Sequence, residues 1–370
     1  MVKVIHFIHG LTMGGAETLV KDYVLGLDKT KFNVTVLCSV KYGVPYEKLL
    51  EEAGIRCIYI NDYSKRKPNL FGKVFISLTR YIKVKSILRK EAPDILHVHL
   101  GLCRLVKFSR VLCTVFYTVH NTPDFVWSGV PSEERAVRWL IKYRNMQFIT
   151  LHEEMRNEVN ARFGINNSLV LNNGINFEKY ATQIDRNKII TELGIPADRT
   201  IIGHIGRFRD EKNHDFLIEI FQEYKKINEK AFLLMIGDGE LKTKIIDRLN
   251  NMNMENDYLI LSNRTDVPDL LRIMDYFVFP SKVEGLGIVL IESQRAGVRT
   301  LAPLRVVPKE TCLSNLIKYI SIDESASTWA KEIQNFPSEE IKYNGIDQWD
   351  MKSVVKRLEE YYLNSLTQGV

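Results

Sequence analysis

The 370-residue chain contains no Asp-x-Asp, the short acidic motif that commonly holds a divalent cation against a diphosphate. It has no GxGxxG after its first apolar run, which disfavours a dinucleotide-dependent oxidoreductase. Its five cysteines, Cys38, Cys57, Cys103, Cys113 and Cys312, are odd in number and irregularly spaced. None forms a CxxC pair, so structural zinc and dithiol redox chemistry are not expected, and a reducing compartment fits best. No apolar run reaches membrane-spanning length. The start, VKVIHFIHG, lacks the charged leader, apolar core and cleavage site of a secretory signal, so a cytoplasmic location is expected. Low-complexity tracts and short repeats of solenoid period are missing as well.

What remains has the balance of a globular protein, with 45% hydrophobic and 26% charged residues. The length exceeds one ordinary core, so two domains are expected. Net charge is +6 but uneven: residues 1–170 hold 25 Lys and Arg against 15 Asp and Glu, and the remainder 26 against 30. Short β-branched runs alternate with longer amphipathic segments in both halves. In the first half they are VIHFIHG (4–10), NVTVLCSV (33–40), CIYI (57–60), DILHVHL (94–100), FYTVH (116–120) and QFITLH (147–152). In the second they are TIIGHIG (200–206), AFLLMIG (231–237), YLILS (258–262), YFVFPS (276–281) and RTLAP (299–303). Near-continuous apolar strands separated by helices predict parallel sheets covered on both faces. The pattern predicts two doubly wound α/β domains, residues 1–168 and 169–350, with a last helix at about 351–370. Ligands in such sheets bind beyond the carboxyl ends of the strands, so a cleft between facing domains is the expected site.

Three strand-to-helix turns in the second half carry candidate chemistry. SKVEGLGIVLIESQRAG (281–297) sets Glu284 at a strand end and Gly285, Leu286, Gly287 and Ile288 at a helix start, where free N–H groups attract an anion. Glu292 follows in that helix, placed to accept from two vicinal hydroxyls. A solvated helix with two incidental glutamates is the alternative. In HIGRFRDEKNHDF, Arg207 follows a strand and Lys212 precedes a helix, cations suited to a diphosphate. GDGEL (237–241) offers close backbone approach at Gly237, although a lone GxG is a weak signal.

In the first half, HGLTMGGAETLV puts Gly14 and Gly15 at another helix start, either as a sharp loop or as an approach for phosphate. His97 and His99 share one strand face, and His120 ends the next run. Three histidines raise the question of a metal, but no carboxylate or cysteine accompanies them at ligand spacing, so none is expected. His120 is expected to face the cleft, and the other two to be buried or to support it from behind.

Taken in order, GGAE, HVH, TVHN, LNNGIN, GRFRDEKN, GDGEL, RTDVPDLLRIMDYFVFPS and the E-x7-E segment resemble the retaining glycosyltransferases of family 4 over nearly the whole chain. The last segment is most similar to bacterial exopolysaccharide and capsule enzymes. The resemblance implies the GT-B fold, two facing Rossmann-like domains, an acceptor side in the first and a nucleotide-sugar site in the second. It implies a UDP-sugar as favoured donor, a saccharide or lipid-linked acceptor, and no metal cofactor. Arg207 and Lys212 would hold the diphosphate, Glu292 the ribose, and Glu284 with the Gly285–Ile288 backbone the sugar and phosphate. Gly15 would approach the donor, His120 would contact the sugar near its anomeric carbon, and Arg264 and Thr265 would frame the base. The last helix would cross back to the first domain. Asn176 stands where the family usually has Asp, and TLAPLRVVPKE after Gly297 is unusual. A non-catalytic nucleotide-sugar sensor and a sugar phosphorylase share the fold and stay open as alternatives.

Between Ser64 and Lys90 lie nine basic residues and no acidic one: Lys65, Arg66, Lys67, Lys73, Arg80, Lys83, Lys85, Arg89 and Lys90. Phe71, Val74, Phe75, Leu78 and Ile82 form a helical stripe there, expected to pack on the sheet. The basic surface is expected to meet an anionic membrane, helped by DFVWSGVP (124–131), and no nucleic acid is expected. Segments near 166–170 and 347–352 are expected to act as hinges on donor binding.

Overall fold

The computed structural model describes residues 1–12, 14–64 and 70–367, without the side chains of 70–78. It divides into two compact units, Met1–Gly174 with Met351–Val370, and Ile175–Asp350. The chain therefore passes between units after Gly174, a few residues beyond the 166–170 segment, and after Asp350, within the 347–352 segment.

In the first unit seven strands form one parallel sheet: β1 (Val2–Ile8), β2 (Phe32–Lys41), β3 (Arg56–Asp62), β4 (Ile95–His99), β5 (Thr114–Thr118), β6 (Gln147–Thr150) and β7 (Leu169–Val170). Their order is β3-β2-β1-β4-β5-β6-β7. The second unit has six: β8 (Thr200–Ile205), β9 (Ala231–Ile236), β10 (Tyr258–Leu261), β11 (Tyr276–Val278), β12 (Arg299–Pro303) and β13 (Ile317–Ile320), in the order β10-β9-β8-β11-β12-β13. All of β4 and all of β9 are buried; β9 reads as an unbroken apolar run, whereas β4 carries His97 and His99 among its apolar residues. In each sheet the winding direction reverses once, between β1 and β4 and between β8 and β11. A crevice beyond the strand ends opens at such a point, and the loops leaving those strands are the ones singled out above.

Several predicted strands end early. FYTVH stops at Thr118, leaving His120 two residues beyond the ladder. YFVFPS stops at Val278; Phe279 N still donates to Leu301 O at 2.9 Å, but Pro280 has no N–H to extend the pairing. β7, of two residues, and β13, of four, have no counterpart among the predicted strands.

The helix Met351–Thr367 belongs to the first unit. Val354, Leu358 and Tyr362 are fully buried, in one core with Val4, Ile8, Val20, Tyr23 and Val24. At Gly26 an added Cβ would lie 2.9 Å from Val355 Cγ2, so this glycine lets the last helix pack closely on Gly15–Gly26. Glu359 Oε1 accepts from Asp28 N at 2.7 Å.

The basic segment is only partly described. Lys65, Arg66, Lys67 and the side chains of Phe71, Lys73, Val74, Phe75 and Leu78 lie outside the described residues. Within the helix Leu70–Glu91, Val84 and Leu88 are buried and Ile82 is exposed, so Ile82 does not belong to the packed stripe. In DFVWSGVP, Phe125 is exposed, but Trp127 is core: its ring stands edge-on to Phe163 at 4.9 Å.

Candidate functional site

In the second unit the β8 and β11 loops meet across the reversal point. The β8 loop forms a short 3-10 turn, Asp210–Lys212, and Asn213 takes a left-handed conformation (φ 56°) before the helix His214–Ile227. Asn213 Nδ2 donates to Pro280 O at 3.1 Å, and Lys282 N donates to Glu211 O at 2.8 Å. These bonds fasten the two loops together and bring Lys212, 72 positions away in sequence, onto Glu284. The two side chains form a mostly buried ion pair, and Lys212 Nζ also lies 4.9 Å over the Phe279 ring. Sequence reading gave the lysine and the glutamate separate tasks; the structure makes them one charged unit.

Beside this pair the helix Ile288–Arg295 begins, with Gly287 left-handed (φ 74°) at its N-cap. Gly285, Leu286 and Gly287 are buried and Ile288 half-buried. No side chain caps this helix, so its first backbone N–H groups are open to an anion. Glu292 lies one turn in, half-buried, next to Tyr180, whose phenol is pushed up by burial and then by the Glu292 carboxylate. Sequence reading missed Tyr180. Arg207 is exposed, directly after Gly206. The Lys212 stem crosses Gly206, where an added Cβ would meet Lys212 Cγ and Cδ at 3.3 Å. The structure thus gathers Arg207, Lys212, Glu284 and the Gly287 helix start at one end of the sheet.

The GDGEL turn has a packing reason for its glycines. A Cβ on Gly237 would lie 2.0 Å from Gly206 O, and one on Gly239 would lie 2.5 Å from Phe208 O. Phe208 N donates to Asp238 O at 2.9 Å and Leu241 N to Phe208 O at 3.0 Å, so this turn is laced to the loop carrying Arg207. Arg264 spends its guanidinium on Asp266, Nε to Oδ1 at 2.7 Å, and the adjacent Thr265 is exposed. Asn176 caps the short 3-10 turn Phe177–Tyr180, accepting from Glu178 N at 2.9 Å.

In the first unit Gly14 is the N-cap of Gly15–Gly26 and Gly15 its first residue. Gly15 is exposed, and an added Cβ there meets nothing within 4 Å. The histidines prove more connected than their spacing implied. Parallel pairing sets His6 of β1 beside His97 of β4, and His99 beside Thr118 of β5, all on one sheet face. His6, His97, His99 and Thr118 are fully buried, and His120 is half-buried. His6 Nδ1 lies 3.2 Å from His99 Nε2, and His99 Nδ1 lies 2.9 Å from His120 Nε2. Tyr362 Oη of the last helix sits 2.6 Å from His97 Nδ1 and 3.3 Å from His6 Nε2, and Thr118 Oγ1 lies 2.6 Å from His97 Nε2.

Burial pushes His6 down to about 3 and His120 to about 4, and drives His97 and His99 well below the ordinary imidazole range, so all four rings are neutral near pH 7. Donor atoms of His6, His97 and His99 lie within 4.8 Å of one another, close enough to share a cation. Both nitrogens of each of those rings are already hydrogen-bonded, and the set contains no carboxylate or thiolate. His6, Thr118 and Tyr362 escaped sequence reading because strand order, not local spacing, brings them together.

Residues 185–348 match the family described as Glycosyl transferases group 1, and residues 13–179 match Glycosyltransferase Family 4. EpsF of Bacillus subtilis is 27% identical over 343 residues, covering 90% of this chain and 86% of that protein. The Escherichia coli UDP-Gal:alpha-D-GlcNAc-diphosphoundecaprenol alpha-1,3-galactosyltransferase is 23% identical over 315 residues, covering 80% and 78%. Among solved structures, HepE from Anabaena, in complex with UDP and glucose, superposes with a TM-score of 0.77 at 16% identity, covering 99% of this chain and 100% of that one.

Proposed function

Because the chain belongs to glycosyltransferase family 4 and has the two parallel-sheet domains of the GT-B fold, we propose that it moves a sugar from a UDP-sugar to a saccharide or lipid-linked acceptor, with retention at the anomeric carbon and without a metal. The observation that carries this reading is the Lys212–Glu284 pair beside the open helix start at Gly287. When the bond between the anomeric carbon and the diphosphate breaks, negative charge grows on the departing phosphate oxygen. Lys212, Arg207 and the backbone N–H groups from Gly285 to Ile288 meet that charge, already oriented before the reaction begins. Glu292 accepts from the ribose hydroxyls and Glu284 from a sugar hydroxyl. The acceptor hydroxyl attacks from the face the diphosphate leaves, its oxygen bonds to the anomeric carbon, and its proton passes to the departing phosphate oxygen. Two carboxylates could instead serve hydrolysis as acid and nucleophile. Glu284 is disfavoured as nucleophile because Lys212 holds its carboxylate in an ion pair.

A UDP donor is supported by HepE, solved with UDP and glucose, and by the UDP-Gal donor in the name of the Escherichia coli relative. The metal-independent part is supported by the lack of Asp-x-Asp. In an assay with UDP-sugars and excess EDTA, turnover or slow donor hydrolysis should persist, and the product should keep the donor's anomeric configuration. Activity abolished by the chelator and restored by Mg²⁺ or Mn²⁺, or an inverted product, would refute the mechanism. A sensor would release no nucleoside diphosphate under any of these conditions.

The lipid-linked part of the proposal has its own support. Among the described residues no helix is long and apolar enough to cross a membrane. The helices Leu70–Glu91, Cys103–Ser109 and Pro131–Arg144 pack in series and expose Ile82, Phe108 and Tyr143, with Leu112 exposed in the loop after the second. Lys85 Nζ lies 5.6 Å over the Phe108 ring, and Lys107 Nζ and Arg144 Cζ lie 5.9 and 5.1 Å over that of Trp139. Exposed aromatic and aliphatic groups ringed by cations suit an anionic lipid surface, with about 1 kcal/mol per nearby charge. The protein should sediment with phosphatidylglycerol vesicles at low salt and lose that binding in a Phe108→Ser/Leu112→Ser variant. Equal sedimentation with neutral phosphatidylcholine vesicles would end the membrane reading.

A further inference from the structure

Six polar side chains of the first unit form one unbroken series, Thr118–His97–Tyr362–His6–His99–His120, in which each neighbour is within 3.3 Å. A neutral imidazole has one N–H and one bare nitrogen, and a phenol has one proton to give. Once one link is assigned a direction, every other link follows. If Tyr362 donates to His6, then His97 Nδ1–H donates to Tyr362, His6 Nδ1–H to His99, and His99 Nδ1–H to His120. If Tyr362 donates to His97, every arrow reverses.

The two ends decide between these states. Among the described residues, Thr118 Oγ1 has no partner besides His97 Nε2, and the residue is fully buried. Running forward, the Thr118 hydroxyl gives its proton to His97 and every hydrogen in the buried series has an acceptor. Running backward, Thr118 only accepts, and its own proton is left in the core with no acceptor among the described residues, a state proteins avoid. At the other end His120 is half-buried, and among the described residues its Nδ1 makes no hydrogen bond, so either tautomer can be satisfied there by water or ligand.

We propose that Thr118, His97, Tyr362, His6 and His99 are positioning residues that act as a one-way hydrogen-bond series and hold His120 in its Nδ1–H tautomer, so that His120 meets the bound sugar as a hydrogen-bond donor and not as a base. This rests on the reading above that His120 contacts the donor sugar. An Nδ1–H facing out can grip a hydroxyl or phosphate oxygen, and the nitrogen that could take a proton, Nε2, is turned inward to His99. His120 therefore removes no proton from the acceptor, in keeping with a departing phosphate that collects that proton itself. The predicted pattern is distinctive, because all four rings carry the proton on Nδ1, the less favoured site for imidazole in water.

The test is long-range ¹H–¹⁵N NMR on the full chain with ¹⁵N-labelled histidine, which reads each tautomer without any substrate. His6, His97, His99 and His120 should all be Nδ1–H. Thr118→Val should abolish the exclusive Nδ1–H state at His120, and Thr118→Ser should restore it. Donor hydrolysis should survive better in His120→Asn, whose amide N–H lies near the Nδ1 position, than in His120→Gln, which reaches the Nε2 position. An Nε2–H His120 in the unaltered protein, or an unchanged tautomer in folded Thr118→Val, would overturn the proposal. Four Nδ1–H rings in a protein inert toward every UDP-sugar would instead uphold the series and remove the catalytic reading of the site.

Discussion

Lys212→Ala is expected to lower turnover about 10²–10³-fold, the usual loss when one pre-placed donor is taken from a centre where charge develops. The lysine is fixed by its ion pair with Glu284, by the Phe279 ring beneath its ammonium and by Gly206 under its stem. It need not reorganise as the diphosphate departs, so its effect falls on the transition state more than on ground-state binding. Glu292→Ala should behave differently. Its carboxylate lies a turn into the helix beside Tyr180, suited to hold a ribose throughout the cycle, so its loss should raise KM for the donor with a smaller change in kcat. Steady-state kinetics of the two variants separate the roles. Should Lys212→Ala raise KM alone, the ion pair would not be at the reacting centre. The Lys212→Ala/Glu284→Gln double variant controls for a carboxylate left buried without its partner.

Gly239→Ala should destabilise the second unit by about 1–3 kcal/mol, an overpacking cost that corresponds to roughly 2–12 °C in its unfolding temperature. A Cβ there would stand 2.5, 2.7 and 2.9 Å from the O, N and C of Phe208. All three are backbone atoms, and Phe208 is fully buried, so no flexible side-chain end can swing aside. One of the two laced loops must move, and Arg207, next to Phe208, moves with it. Stability and turnover should fall together. Gly15→Ala is the contrasting case: nothing lies within 4 Å, and in a first helical residue the change should be neutral or stabilise by about 0.4–1 kcal/mol. Donor affinity should drop in that variant, because the new methyl group occupies the open face that a ligand would approach. A Gly15→Ala protein with unaltered affinity would remove this residue from the site, and a Gly239→Ala protein that melts like the parent would show that the loops yield easily.

Strands such as β9 were legible because burial on both faces writes apolar residues at nearly every position. β7 and β13 were not: β7 has only two residues, and in β13 Lys318 interrupts the apolar run and only the two outer isoleucines are buried. The candidate cations and glutamates were legible singly, each at a strand-to-helix turn. Their pairing was not, because it depends on β8 lying beside β11 and on the bonds that tie Glu211 to Lys282 and Asn213 to Pro280. The GDGEL glycines look like an invitation to a ligand in sequence, yet what presses on them is the protein's own backbone. The histidine series shows the same limit most clearly. His97 and His99 are two apart and predictably share a face, but His6 joins them through strand order, and Tyr362 arrives from the far end of the chain.

That late arrival has a consequence for how the protein is made. Residues 175–350 hold the second unit entire, so this stretch can close its core without the last helix. The first unit, though translated earlier, still lacks Val354, Leu358 and Tyr362, which lie in the same core as Val4, Val20 and Tyr23. Its sheet must wait with one apolar face unfilled and the histidines without the phenol that links them. The part of the chain that emerges first is thus completed by the part that emerges last, and a chain ending at Asp350 would hold one sound unit tethered to one that cannot close.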